Sequence, residues 1–497
     1  MSKTIGVGLV SETVLSRWGD RLNPLVVKEV RQGLRSRAFW AFFGLMLLAC
    51  FGIALMAFIS TLDEGGGLKP LGQGVFFAFF LCLAVVHFVV IPYTAYRSLA
   101  REREDDTWVL LVLTGLGPRR ILRGKVASFL IQAGLYASAI GPFLLFSYYL
   151  NGIELPAILL VLALGASWLV FLTVVAVCAA TFGDNRIGRA LVHFALLGGL
   201  GLACVYGLTA AYVLSDEGLR AFSRERALVR FTLGFLWMML TGGWLLFETA
   251  AARLSLPTEN YTRGPRLALC VQTVLSALLV LGLWLEALPR SGAEDVGVLG
   301  CLYLTVCGLV LATDADGQAR ALRAATRPWS LLRPGALRGL RLAVVLLLGW
   351  GAFSALLYQL TPVGSSWHKT SLAGVLAPPV YGLLYLSLPL WLVRLMRVSP
   401  SASPLVVRVL FVLLVGLAGI LPPLFALVVS GSASDTLINL LNPFLGLANF
   451  VEGDYHRMGA GTDWTLWTFM ALLTGLSVFL ADRALAARER EVHASAP

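Results

Sequence analysis

The stretch "REREDDTWVLLVLTGLGPRRILRGKVA", Arg101 to Ala127, sets opposite charges, a Trp, a Gly-Leu-Gly-Pro break and a second basic cluster between two long apolar runs. The rest of the chain spends little on polarity: of 497 residues, 58% are hydrophobic and 13% charged. Globular chains average about 45–50% apolar and about 25% charged residues, so an ordinary soluble class is excluded. A helical bilayer span needs roughly 20 predominantly apolar residues. Such runs recur on both sides of the quoted stretch, whereas the ten-residue alternation of an outer-membrane barrel does not. The sequence reads as an all-α polytopic membrane protein.

Hydropathy windows predict twelve spans, near 38–60, 72–96, 126–149, 156–181, 190–214, 229–251, 266–287, 296–313, 340–361, 372–393, 404–430 and 464–482. With a cytoplasmic N-terminus, 31 of the 39 Lys and Arg residues fall in inside segments. This bias obeys the positive-inside rule and places both termini in the cytoplasm. It also accounts for the net charge of +11 without nucleic acid, because basic inner loops meet anionic headgroups. One outside segment, Ser215–Arg230, departs from the rule with four Arg residues and reads as an interfacial helix. The first apolar run begins near Ala38 after a long polar segment and is too long for a signal core, so the N-terminus is expected to be retained.

Asn23-Pro24 reads as an N-cap followed by a proline at the first helical position. Leu22, Leu25, Val26, Val30 and Leu34 then share one face, and Lys28, Arg31 and Arg35 another, which predicts an amphipathic helix on the inner membrane surface. Asp435–Asp454 carries an apolar run too short to cross, broken by Asn442-Pro443, and reads as an outside re-entrant or surface helix pair. The seven cysteines (Cys50, Cys82, Cys178, Cys204, Cys270, Cys301, Cys307) lie in apolar runs without a C-x-x-C pair and read as small hydrophobes. The five histidines (His87, His193, His368, His456, His493) are scattered, and no metal site is expected from their spacing.

Within the opening stretch, Asp106 or Thr107 can cap a short helix on which Trp108, Leu111 and Val112 share a face, with Gly115 ending it. Eight residues at about 1.5 Å each make a rod of roughly 12 Å. Its apolar face, flanked by Arg101–Asp106 and by Arg119, Arg120, Arg123 and Lys125, has the character of a docking surface for another protein. The alternative is a helix floating at the lipid interface with Trp108 in an aromatic belt, to which Glu102, Glu104, Asp105 and Asp106 are poorly suited.

"NPLVVKEVRQGLRSR" before the first span, together with "REREDDTWVLLVLTGLGPRRILRGK" after the second, resembles the permease subunits of ATP-binding-cassette transporters of the type 2 exporter class. The matching positions are Asn23, Pro24, Lys28, Glu29 and Arg31 in the first motif. In the second they are Glu102, Glu104, Thr107, Trp108, Leu110, Leu111, Leu113, Thr114, Arg120, Ile121, Gly124 and Lys125. Asp106-Thr107 stands where the family usually has Gly-Thr. The resemblance implies an elbow helix before the first span and a coupling helix in the 97–125 loop that inserts into an ABC ATPase (nucleotide-binding) subunit. Docking would then involve Glu102, Glu104, Thr107, Trp108, Leu111, Val112, Arg119, Arg120 and Lys125. It also implies the cytoplasmic (inner) membrane of a bacterium.

The expected organisation is a cytoplasmic N-terminus with the elbow helix (1–37), a first six-span unit (38–251) and a cytoplasmic link (252–265). A second, divergent six-span unit (266–482) carrying the outside segment 435–454 and a cytoplasmic tail (483–497) follow. Arg253–Leu269 resembles a cytoplasmic link of longer family members. Residues 314–341 echo the Trp, Leu-Leu, Pro and Arg order of the first coupling loop, but no second Asn-Pro elbow precedes span seven. Either two units are fused, or the chain is one half of a dimer with a second permease copy as partner.

Gly124-Lys125 is not a phosphate-binding loop, because G-x-x-x-x-G-K-[ST] would require Gly at 119 and Ser or Thr at 126, where Arg119 and Val126 stand. No soluble stretch is long enough for an ATPase domain. The chain is therefore expected to hold no cofactor and to be no enzyme, with ATP and Mg bound in the partner ATPase and membrane lipid around the spans. A proton- or ion-coupled secondary transporter of major-facilitator type is the alternative, supported by "GDNRIGRA" (Gly183–Ala190). Its candidate ionisable groups are His87, His193, Glu248 and Glu286. An enzyme would need a clustered constellation, for which Asp314 with Asp316, or Glu452, Asp454 and His456, are the nearest approaches. The substrate is not legible.

Overall fold

The computed structural model describes residues 24–63, 71–105, 117–150, 152–183, 186–217, 226–256, 259–285, 290–314, 329–361, 371–397, 403–432, 436–459 and 461–495. Among the described residues the structure is helical, with no strands. It contains 12 helices long and apolar enough to cross a membrane. The chain divides into two compact units, Met1–Ser255 and Leu256–Pro497.

The first unit opens with α1 (Pro24–Leu34) and α2 (Arg37–Asp63). In α1, Leu25, Val26 and Glu29 are buried, Val30 and Leu34 are half-buried, and Lys28, Arg31 and Arg35 are exposed. The second span is a continuous rod from Gly72 to Glu104, made of α3 (Gly72–Val85), a π-helical turn (Val86–Val90) and α4 (Ile91–Glu104). Pro92 explains the turn: it has no N–H to donate to the carbonyl four residues back, and its ring would press on that carbonyl. The ladder widens instead, and the Ile91 N–H bonds to the Val86 carbonyl. There follow α5 (Pro118–Tyr149), α6 (Leu155–Ala179), α7 (Arg186–Glu217) and α8 (Arg226–Leu254). The core lies where Phe76, Phe79, Phe88, Leu122, Phe129, Tyr136 and Ile140 pack together.

The second unit contains α9 (Arg263–Trp284), α10 (Arg290–Ala312), α11 (Ala336–Leu360), α12 (Leu372–Leu395) and α13 (Ser403–Ser430). A 3-10 turn (Ile438–Leu441), α14 (Leu445–Val451), α15 (Asp454–Arg457) and α16 (Thr462–Ser495) complete it. Of its spans, α12 is the most enclosed and α13 the least. The segment expected to be too short to cross is a set of short helices folded onto its own unit. Asn442 is buried; its Oδ1 accepts the N–H groups of Phe444 (2.9 Å) and Leu445 (3.1 Å), and its Nδ2 donates to the Gly419 carbonyl (3.1 Å). The hydroxyls of Tyr381 and Tyr385 donate to the carbonyls of Leu440 and Leu441. A Cβ at Gly446 would run into the Asn439 and Leu440 carbonyls.

Helix ends differ from the hydropathy boundaries in a consistent way. Arg101–Glu104 and Arg119–Lys125, read as loop, are the ends of α4 and α5; residues 336–341 belong to α11, and the tail is helical through Ser495. A hydropathy window closes at the first charge, whereas the backbone ladder continues until a proline or a cap stops it.

Candidate functional site

Lys125 lies in the third turn of α5 and is fully buried. Its ammonium donates to Glu29 Oε1 of α1 (3.2 Å), Ser98 Oγ of α4 (3.0 Å) and Glu102 Oε1 of α4 (2.9 Å). An ammonium has three N–H donors, and three acceptors surround this one. Ser98 Oγ also donates to Glu29 Oε2 (3.3 Å), closing the cluster. A charge withdrawn from water is tolerated only when paired and hydrogen-bonded, so these contacts fix α1, α4 and α5 to one another. Next to it, α1 and α5 approach closely enough that a Cβ at Gly33 would fall on the Gln132 side chain. Ser36 Oγ accepts from the Phe39 N–H (3.1 Å) and starts α2, and the Tyr136 hydroxyl donates to the Phe39 carbonyl (3.0 Å).

A rim of exposed and half-buried charges surrounds this cluster. Arg119 grips Glu248 of α8 through Nε (3.0 Å) and Nη2 (2.7 Å). Arg103 Nη1 donates to the Ala180 carbonyl (3.1 Å), and Arg253 Nε to the Thr181 carbonyl (3.1 Å) with its guanidinium 4.9 Å from the Phe182 ring centre. Glu104 stands 3.9 Å from Arg189. The ends of α4, α5, α6 and α8 are thereby joined on either side of residues 106–116.

Of the expected docking residues, Thr107, Trp108, Leu111 and Val112 lie outside the described residues, as does Asn23 of the elbow motif. Pro24 opens α1. Arg119, Arg120, Lys28 and Arg31 are exposed. Lys125, expected to flank a docking surface, presents no surface, and Glu29 falls on the buried face of α1 as its partner. Ser98 carried no expectation. Glu248, considered for ion coupling, is spent on Arg119, and His87 is buried in the π turn against the Ala133 carbonyl (3.1 Å).

The second unit has a buried cation of its own that the sequence did not single out. Arg266 of α9 is fully buried and donates to the carbonyls of Leu331 (2.8 Å), Arg333 (2.6 Å) and Gly335 (3.1 Å), and to Asp314 Oδ2 (3.0 Å). Asp314 also accepts from the Tyr261 hydroxyl (3.1 Å) and the Gly335 N–H (3.2 Å). Asp314 thus anchors the start of α9 and the turn before α11, while Asp316 lies outside the described residues. Glu294, another residue the sequence did not flag, is buried, and its Oε1 has no hydrogen-bond partner among the described residues. Asp454 pairs with Arg457 (2.7 Å) and His456 with Asp463 (3.4 Å), so Glu452, Asp454 and His456 do not converge. Among the described residues no group of three His, Cys, Asp or Glu is placed to hold a metal, and all seven cysteines are free thiols.

A cavity of about 350 Å³ opens in the first unit between the second span, α6, α7 and α8, with Phe88, Trp168, Tyr206 and Phe235 on its walls. Such a lining suits an apolar guest. No protein-family model, curated protein or solved structure matches the chain.

Proposed function

We propose that the chain is the membrane-spanning permease subunit of an ABC-type exporter in a bacterial cytoplasmic membrane. In this reading both termini are cytoplasmic, and a separate ATPase subunit docks on the 101–125 loop. The Lys125 cluster carries the reading. It ties the amphipathic helix before the first span to the two helix ends that bear residues 106–116, so that a displacement of those residues is passed to α1, α4 and α5 as one body. Buried ionic contacts keep packed helices moving as rigid bodies, the kind of element on which alternating arrangements are built. The amphipathic α1, with Lys28, Arg31 and Arg35 exposed, supports an elbow helix on an anionic membrane surface.

The test is gentle solubilisation of the tagged chain from its native membrane, with copurifying proteins identified and ATP hydrolysis measured. Trp108→Asp is expected to lose the ATPase subunit, and Lys125→Met to retain it while losing its stimulation. A Trp108→Asp protein that kept both copurification and stimulation would remove the docking role.

A further inference from the structure

We propose that the second unit binds the phosphate-bearing headgroup of an anionic membrane lipid in a cavity of about 410 Å³ between α10, α12, α13 and α16. This volume falls within the range of small-molecule sites, about 300–1,000 Å³. The cavity sits where four spans end: Thr313 just after α10, Arg394 in the last turn of α12, Pro404 at the start of α13, and Arg488 with Glu491 toward the end of α16. That is headgroup depth, because the spans have passed through the hydrocarbon and their ends lie at the interface.

The walls are divided in a way that fits a lipid better than a free ion. Arg394, Arg397 and Arg488 supply guanidinium groups, whose planar forks bind phosphate oxygens in pairs. Arg394 is already oriented: Nη1 donates to the Ala484 carbonyl (2.9 Å) and Nη2 to Glu491 Oε1 (3.2 Å). Glu491 is the cavity's acidic group among the described residues, so the three cations outnumber it. Arg397 lines the wall just past the C-cap of α12, where its φ of 52° is the left-handed turn that ends the helix, and it has no acidic partner among the described residues.

Leu390, Val393, Val407 and Leu485 form the apolar part of the cavity. A free phosphate would have no use for that apolar wall. Basic pockets between span ends are a known means of holding anionic headgroups. The inference does not depend on the permease reading, and its test involves no ATPase.

The experiment is native mass spectrometry of the full chain in detergent, titrated with phosphatidylglycerol or with phosphatidylcholine. Phosphatidylglycerol is expected to bind preferentially. One Arg near a membrane surface is worth about 1 kcal/mol, so Arg397→Gln should weaken that binding about fivefold. Removing the opposing charge with Glu491→Gln should tighten it several-fold, and millimolar inorganic phosphate should not compete. Arg397 is exposed and outside any ion pair among the described residues, so its variant tests binding without loss of fold; an unchanged melting temperature without lipid checks this. Equal binding of the two lipids, or unchanged phosphatidylglycerol binding in Arg397→Gln, would overturn the proposal. Competition by inorganic phosphate would overturn the lipid assignment in favour of a phosphate site.

Discussion

Each unit fully buries a cation near the start of a span, Lys125 in the first and Arg266 in the second, where Arg338 is also buried against Glu489, and Lys125 and Arg266 are neutralised by different means. Lys125 is held by side chains from two other helices: two carboxylates and a hydroxyl. Arg266 has one carboxylate and takes the rest of its coordination from three backbone carbonyls. An ammonium is a compact point charge with three rotatable donors, which suits a junction of side chains from separate helices. A guanidinium spreads five donors in a rigid fork, which suits a turn of backbone whose carbonyls point in fixed directions. The Lys cluster therefore fixes helices to one another, and the Arg cluster fixes the shape of residues 331–335 before α11 begins.

The sharpest way to break the comparison is Arg266→Ala. It strands a carboxylate and three carbonyls at once, and breaking a buried pair by removing one partner costs about 3–5 kcal/mol. The additional carbonyl losses should make this the largest effect, read as loss of monodisperse protein or the steepest fall in melting temperature. Lys125→Met should cost about 3–5 kcal/mol by the same reasoning, with Glu29 and Glu102 left without their cation. Adding Glu29→Gln should recover part of that loss, as a thermal-stability double-mutant cycle would show. A cycle without coupling would mean that the two side chains do not meet in the folded protein.

Smaller effects separate the cluster from its rim. Ser98→Ala removes one hydroxyl between Lys125 and Glu29 and should cost about 0.5–1.5 kcal/mol, seen as a modest shift in melting temperature. Arg119→Gln breaks a pair whose Arg is largely exposed, for about 0–1 kcal/mol, and the loss should shrink further in high salt. If Arg119→Gln proved as damaging as Lys125→Met, the buried-versus-rim distinction would be wrong.

Much of the fold was legible because a span is a local property. The twelve apolar runs were visible, and so was the amphipathic face of α1, since Lys28, Arg31 and Arg35 alternate with Leu25, Val26 and Val30 at helical spacing. Of the candidate site, the residue types near positions 29, 102 and 125 were visible while their roles were not. Lys125 follows Arg119, Arg120 and Arg123 and looked like one more member of an exposed basic cluster. Its neighbour Gly124 and the buried Leu122 turn that face of α5 inward, and this depends on which helices lie against it. Arg266 was missed because its acceptors are mostly backbone carbonyls, which no residue type announces.

The sequence alone determined that the chain is helical, how many helices are long and apolar enough to cross a bilayer, and which segments carry the positive charge, because each of these is a sum over neighbouring residues. Tertiary structure decided which charges are solvated and which are structural. Glu29 is 96 positions from Lys125, and Leu331 is 65 from Arg266. The free energy of a buried charge is set by the partners that folding brings to it from such distances, not by the residues beside it in the chain.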